Sequence, residues 1–170
     1  VVHLMVSKVK GRFKKFDGTL SFDETKGTLS NIVVNIDQAS IDTNEAKRDD
    51  HLRAPEFFDI QKYPSLNFKA DKVQVKKGEK TKITGVLTMH GVSKPVTLDL
   101  EYVGSVVDPM KSLRHGFSLS GKINRKDWGL SWNKTLDTGG LALSEEISIS
   151  IEGEIVKVVP KKSVTDKSDK

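Results

Sequence analysis

The chain has 170 residues and no Cys, enough for one domain whose core needs no metal or disulfide staple, and without the thiols of a disulfide framework, a zinc–thiolate site or a cysteine nucleophile. The formal charge is +5, of which +3 lies between Lys157 and Lys170, where five Lys accompany two Asp; a near-neutral body with a solvated basic end is no nucleic-acid footprint. No stretch approaches the roughly 18 apolar residues of a membrane helix, so membrane contact is expected to be transient at most. Val1 follows neither an initiator Met nor a charged-then-apolar leader, so the sequence reads as a processed or trimmed chain.

Period-two alternation dominates from the start, placing apolar side chains on one face of a strand. Strands are predicted near 4–13, 16–23 (Phe16, Leu20 and Phe22 on one face) and 29–38 (Ile32, Val34 and Ile36). Residues 43–54 break the alternation with good helix formers; Thr43 or Asn44 supplies a cap and Pro55 a stop, so a short helix is predicted there. Phe57 and Phe58 follow, so helix and aromatic loop are placed over one mouth of a sheet structure. Strands resume near 65–76, 80–90, 94–105 (Val96, Leu98, Leu100 and Tyr102 on one face), 114–123 (Phe117, Leu119 and Ile123) and 144–158 (Ile147, Ile149, Ile151 and Ile155). Turn residues punctuate the runs at Asp17-Gly18, Lys26-Gly27, Lys77-Gly78, Asp108-Pro109 and Gly139-Gly140. Clean alternation belongs to antiparallel strands with one wet face. About eight such strands is the number at which a closed barrel holds one small ligand. The domain is set at residues 1–158, with a flexible Lys-rich tail at 159–170.

The motifs of catalysis are missing from the sequence. It has no Gly-x-Ser-x-Gly elbow, no His-Glu-x-x-His and no phosphate loop. His3, His51, His90 and His115 are far apart, and no pair has the spacing of metal ligands on a helix. The densest polar cluster is Arg48, Asp49, Asp50, His51 and Arg53. A catalytic reading pairs His51 with a carboxylate such as Asp49; the plainer one has Leu52 dock the helix while Arg48 pairs with Glu45 and His51 sits near Lys47 or Arg48. Arg125 is open to two readings, a planar fork for an anionic head group or a clamp on turn carbonyls.

Several segments in order resemble the YceI family, the lipocalin-like polyisoprenoid-binding proteins of bacteria. They are Val2-His3-Leu4-Met5-Val6-Ser7-Lys8-Val9-Lys10-Gly11-Arg12-Phe13, Ala39-Ser40-Ile41-Asp42-Thr43, Arg48-Asp49-Asp50-His51-Leu52-Arg53, Phe57-Phe58-Asp59 and Tyr63-Pro64. Thr84-Gly85-Val86-Leu87-Thr88, Gly91-Val92 and Lys94-Pro95-Val96 follow, then Ile123-Asn124-Arg125-Lys126-Asp127-Trp128-Gly129-Leu130, Trp132-Asn133 and Thr138-Gly139-Gly140. The resemblance spans about Val2 to Val156. It implies an extended eight-stranded antiparallel β-barrel of lipocalin-like kind with a long hydrophobic tunnel, a polyisoprenoid, isoprenoid quinone or fatty chain as ligand, and a periplasmic or secreted home, with the cytoplasm as the alternative. Family members carry about half a strand more before the Val2-His3 segment; either this sequence begins late or the first strand is ragged, and because an incomplete strand exposes an edge, a homodimer is expected.

The function read from this is the binding of a long apolar lipid for transport, storage or sequestration, without a cofactor and without catalysis. The alternatives are a lipid- or small-molecule-modifying enzyme built on His51, and a surface module acting through the Lys-rich tail. The expected lining is Phe13, Phe16, Leu20, Phe22, Ile36, Leu52, Phe57, Phe58, Phe68, Leu87, Met89, Leu100, Tyr102, Phe117, Leu119, Trp128 and Trp132, with His51, Arg125 and Asn133 near a head group.

Overall fold

A computed structural model describes residues 1–4, 7–135 and 141–157. The 159–170 tail and the Gly139-Gly140 turn lie outside these. Eight strands were expected in one barrel; the main sheet has seven, all antiparallel. In chain order after three short N-terminal pieces these are β4 (Phe16–Asp23), β5 (Thr28–Asp37), β7 (Ser65–Gln74), β8 (Lys80–Met89), β9 (Val92–Val107), β10 (Leu113–Asn124) and β11 (Glu146–Val156). Their order across the sheet is β11-β10-β9-β8-β7-β5-β4. Short turns join β4 to β5, β7 to β8, β8 to β9 and β9 to β10, as period-two sequences with Gly and Asp at the joints favour, whereas a segment holding β6 (Ile41–Asp42) and a helix joins β5 to β7 and one holding a 3₁₀ turn (Arg125–Trp128) joins β10 to β11.

The first predicted strand is replaced by β1 (Val2–His3), β2 (Ser7–Lys8) and β3 (Arg12–Phe13). β1 pairs with β2, and Leu4, with a left-handed φ of 48°, donates its N–H to Ala142 O. β3 pairs with β6 (Ile41–Asp42) instead of with the main sheet. Gly11 lets this crossing happen, because a Cβ there would lie 2.8 Å from Thr43 Cγ2. The N-terminal segment thus ties the ends of the sheet without adding a full strand to it.

The sheet curls into a half-barrel. Phe22, on edge strand β4, stacks edge-on against Phe117 of β10 with ring centroids 5.7 Å apart, though four strands separate them in the sheet order. Two bulges sharpen the curl, in β4–β5 between Thr19 and Ser21 and in β9–β10 between Gly116 and Phe117; an extra residue on one strand increases local twist and bend. Among the described residues β4 and β11 are the edges and share no ladder.

Inward-facing side chains of the central strands form the core, with Leu29, Ile83, Leu98, Leu100 and Leu87 all buried. Gly85 and Gly121 make room for it. Phe68 lies across Gly85, where a Cβ would approach its ring to 2.5 Å, and Leu98 lies as close over Gly121.

The helix α1 (Ala46–Arg53) starts three residues later than the predicted 43–54. Thr43 is already engaged, and Asn44 takes a left-handed φ of 60°, so Glu45 caps the helix by accepting from Lys47 N–H. Arg53 then donates to the carbonyls of Ala39 and Ile41 and docks the helix at the end of the sheet where β5 stops and β7 begins.

Candidate functional site

The concave face is unevenly covered. Register puts Ile123 opposite Ile147, Gly121 opposite Ile149, Leu119 opposite Ile151, Phe117 opposite Gly153 and His115 opposite Ile155. All of these β11 positions face inward, as do Phe16, Leu20 and Phe22 on β4. Yet Ile147, Ile149 and Ile155 are only half-buried and Ile151 is 40% exposed. A Cβ built on Gly153 meets nothing within 4 Å. On β4, Leu20 and Phe22 are half-buried, and Phe16 is 67% exposed. The apolar lining is thus saturated at β5, β7, β8 and β9 and unsaturated along both edge strands. Apolar surface is left incompletely covered along both edge strands, beside a packed core.

The two ends of this face differ. At the α1 end, Phe58 packs on the core and edge-on to Phe13, with centroids 5.9 Å apart. His51, Phe57 and Trp132 form a second aromatic group, with centroids 4.9 to 5.0 Å apart. Between β4 and β5 at this end runs an open groove lined by Lys14, Lys15, Phe16, Ile36, Asp37 and Pro64, among others. At the opposite end Phe22, Tyr102, His115 and Phe117 stack in a cluster with centroids 5.0 to 6.0 Å apart. Here Tyr102 Oη lies 3.2 Å from His115 Nδ1, and His115 Nε2 lies 3.4 Å from Glu24 Oε1. This is a polar spot inside an apolar lining, and nothing in the sequence pattern marked it.

The expected lining residues divide accordingly. Phe68, Leu87, Met89, Leu100, Phe117 and Trp128 are buried core, with Trp128 Nε1 donating to Leu87 O at 3.0 Å. Leu20, Phe22, Phe58, Tyr102 and Leu119 are half-buried against that core. Ile36 and Leu52 are also half-buried. The isoleucines of β11 were missed as site residues, although their alternation is plain in the sequence; that their strand is an edge, and so uncovered, is a property of the topology.

The polar candidates serve the backbone. Arg125 is 3% exposed; its Nε donates to Ser144 O at 3.0 Å and its Nη1 to Leu130 O. Of its two sequence readings the structure shows the clamp on carbonyls. Burial pushes its guanidinium below the usual arginine range, and Nη2 has no partner among the described residues. Asn133 clasps Leu143, donating from Nδ2 to its carbonyl at 2.7 Å and accepting from its N–H at 3.0 Å. Asp49, buried, accepts from Thr43 N–H at 2.9 Å and from the Thr43 hydroxyl at 2.5 Å. Arg48 also turns to Thr43 rather than to Glu45, donating to its hydroxyl and its carbonyl at 2.8 Å each. His51 meets Glu56 at 2.7 Å, with both side chains well exposed. The catalytic pairing of His51 with Asp49 is therefore not assembled. Among the described residues no three His, Cys, Asp or Glu side chains converge as metal ligands.

Comparison with known proteins decides the family. The description of the YceI-like domain matches residues 1–155. The chain belongs to the YceI-like family. Protein YceI of Salmonella newport (strain SL254) is 42% identical to it over 153 residues, covering 90% of this chain and 78% of that protein. Among solved structures, the YceI protein of Campylobacter jejuni superposes with a TM-score of 0.80 at 36% identity, covering 94% of this chain and 91% of that one. A polyisoprenoid binding domain from Saccharophagus degradans shares the YceI-like fold at a TM-score of 0.62 and 16% identity, covering 89% of this chain and 87% of that one.

Proposed function

We propose that this YceI-like protein binds one long apolar lipid, a polyisoprenoid, isoprenoid quinone or fatty chain, in the cleft between β4 and β11, and carries, stores or sequesters it. The observation that carries this reading is the row Ile147, Ile149, Ile151 and Ile155, inward-facing on an edge strand and incompletely covered, with open space over Gly153. A strand that turns isoleucines inward without covering them leaves apolar area to be removed from water by a ligand. The polyisoprenoid-binding neighbour of the same fold supports the choice of ligand class.

The energetics suit carriage. Burying a five-carbon prenyl unit gains on the order of 3–4 kcal/mol over water. A few units therefore offset the ordering cost of binding without a head-group clamp, in keeping with Arg125 and Asn133 being occupied by backbone. Against a bilayer, where the chain is equally dry, transfer is close to neutral. Exchange is then easy, and selection falls on chain length and width. A periplasmic or secreted place of action and a homodimeric state belong to the same reading, and analytical ultracentrifugation of the purified chain tests the second.

Gly153→Trp is the direct test of the cleft. The added ring fills the space above Gly153 and should lower the occupancy of a fluorescent long-chain fatty acid at least tenfold while leaving the melting temperature unchanged. Undiminished uptake of the fatty acid by a folded Gly153→Trp protein would rule out this cleft as the binding site.

A further inference from the structure

The hairpin formed by β9 and β10 overhangs its neighbours. β8 pairs with β9 only as far as Lys80 opposite Glu101, so Val103 to Val107 have β10 alone beside them. This overhang is apolar where a lone ribbon in water would be polar. Val103, Val106 and Val107 are 56%, 62% and 62% exposed, and Met110 in the turn is 84% exposed. Register puts Val106 opposite Arg114 and Val107 opposite Leu113, so apolar groups stand on both faces of the tip. Most exposed hydrophobic residues need no explanation singly, but a contiguous group on a projecting tip marks a contact surface.

The charges around the tip identify the contact. Lys26, Lys76 and Arg114 are paired, with Asp23, Glu79 and both Asp108 and Glu154 respectively. Lys77 and Lys111 form no ion pair among the described residues, and Lys80 stands opposite Glu101 in the β8–β9 register. The Lys77 stem lies across Gly104, its Cε 2.8 Å from where a Cβ would sit, which holds the ammonium beside the hairpin. Apolar side chains at a tip, flanked by the ammonium groups of Lys77 and Lys111, are complementary to an anionic bilayer surface, with the apolar part at the acyl boundary and the cations at the head groups.

We propose that the β9–β10 hairpin tip is a membrane-docking element that inserts Val106, Val107 and Met110 into the interface of an anionic bilayer. This rests on the lipid-carrier reading above and adds the surface through which lipid is exchanged. Residues Tyr102 and Phe117, at the base of the same hairpin, border the cleft, so docking brings the cleft's end to the bilayer.

The test is co-sedimentation of the full chain with vesicles of phosphatidylglycerol and phosphatidylcholine, and with phosphatidylcholine alone. The wild type should sediment with the anionic vesicles and lose most of that binding in high salt. The Val106→Ser, Val107→Ser, Met110→Ser triple variant should retain at most one fifth of the bound fraction, and Lys77→Glu with Lys111→Glu a similarly small share. Val86→Ser, which removes a 46% exposed valine from the outer face of β8, should bind as wild type. Circular dichroism melts establish that each variant is folded. Wild-type-like sedimentation of the triple variant, or no vesicle binding by the wild type, overturns the proposal. So does a dimer-to-monomer change in the triple variant, which would make the tip a contact between copies. Lipid content measured on the same preparations separates the two readings. A triple variant that keeps its lipid but loses vesicles supports docking, and a wild type that docks through the tip without any bound lipid supports docking while removing the carrier reading.

Discussion

Arg125 holds a turn together from inside. Its guanidinium joins the 3₁₀ turn after β10 to the carbonyls of Leu130 and Ser144, segments that no strand ladder connects. Charged hydrogen bonds of this kind contribute about 1.5–3 kcal/mol each, and removing the buried partner leaves carbonyls unsatisfied. Arg125→Met is therefore expected to destabilise the protein by about 3 kcal/mol in urea denaturation without changing lipid specificity. Asp108 works in the same way at the opposite end. It accepts from the N–H groups of Ser112 and Met110 and pairs with Arg114 at 2.7 Å, and the Ser112 N–H followed by Arg114 holds its carboxyl below the usual aspartate range. Asp42 is held low likewise, first by Lys14 and then by the N–H of Asn44. A carboxylate whose folded pKa is depressed stabilises the fold above its unfolded pKa of about 3.9 and loses that contribution as pH falls through the folded value. Thermal melts should be flat in this respect at neutral pH and decline below about pH 4, and Asp108→Asn should flatten the decline. The sequence reading of Arg125 left a head-group contact and a turn clamp open because both use the same planar donor set; what decided it was the return of residues 130 and 144 to the same spot, a long-range fact.

Among elements, the strands were legible and their neighbours were not. β4 was predicted at its observed bounds and β5, β7, β8, β9, β10 and β11 within two residues or so, since alternation and turn residues are local signals. The stretch 4–13 was misread because Val9 and Phe13 continue the alternation, while Gly11 permits an approach to Thr43 that the pattern does not encode. The candidate lining was misweighted for a related reason. Many of the aromatic residues are core, whereas the wall proposed to bind lipid lies on an edge strand of isoleucines. Two glycines at equivalent inward positions make this difference measurable. Gly85→Ala forces a methyl group against Phe68 and Lys69 O and is expected to cost about 1–3 kcal/mol in denaturant melts. Gly153→Ala meets open space and should leave stability within about 0.5 kcal/mol of wild type. Equal penalties at the two positions would mean that the β11 wall is covered after all.

At the scale of the whole molecule, a seven-stranded half-barrel divides one apolar face between two tasks. The central strands bury theirs against one another, which holds the fold, and the edge strands leave theirs uncovered, which supplies the surface proposed above to bind lipid. The N-terminal segment and α1 brace one end, and the β9–β10 hairpin extends the other. Native mass spectrometry of the freshly purified chain, followed by solvent extraction and identification of any lipid, tests this division most directly. The expected result is one added mass per chain, removed by extraction, identified as an isoprenoid or fatty chain, and much reduced in Gly153→Trp. A bare chain mass under gentle conditions, for a protein that also fails to take up long-chain lipid offered in vesicles, would contradict it.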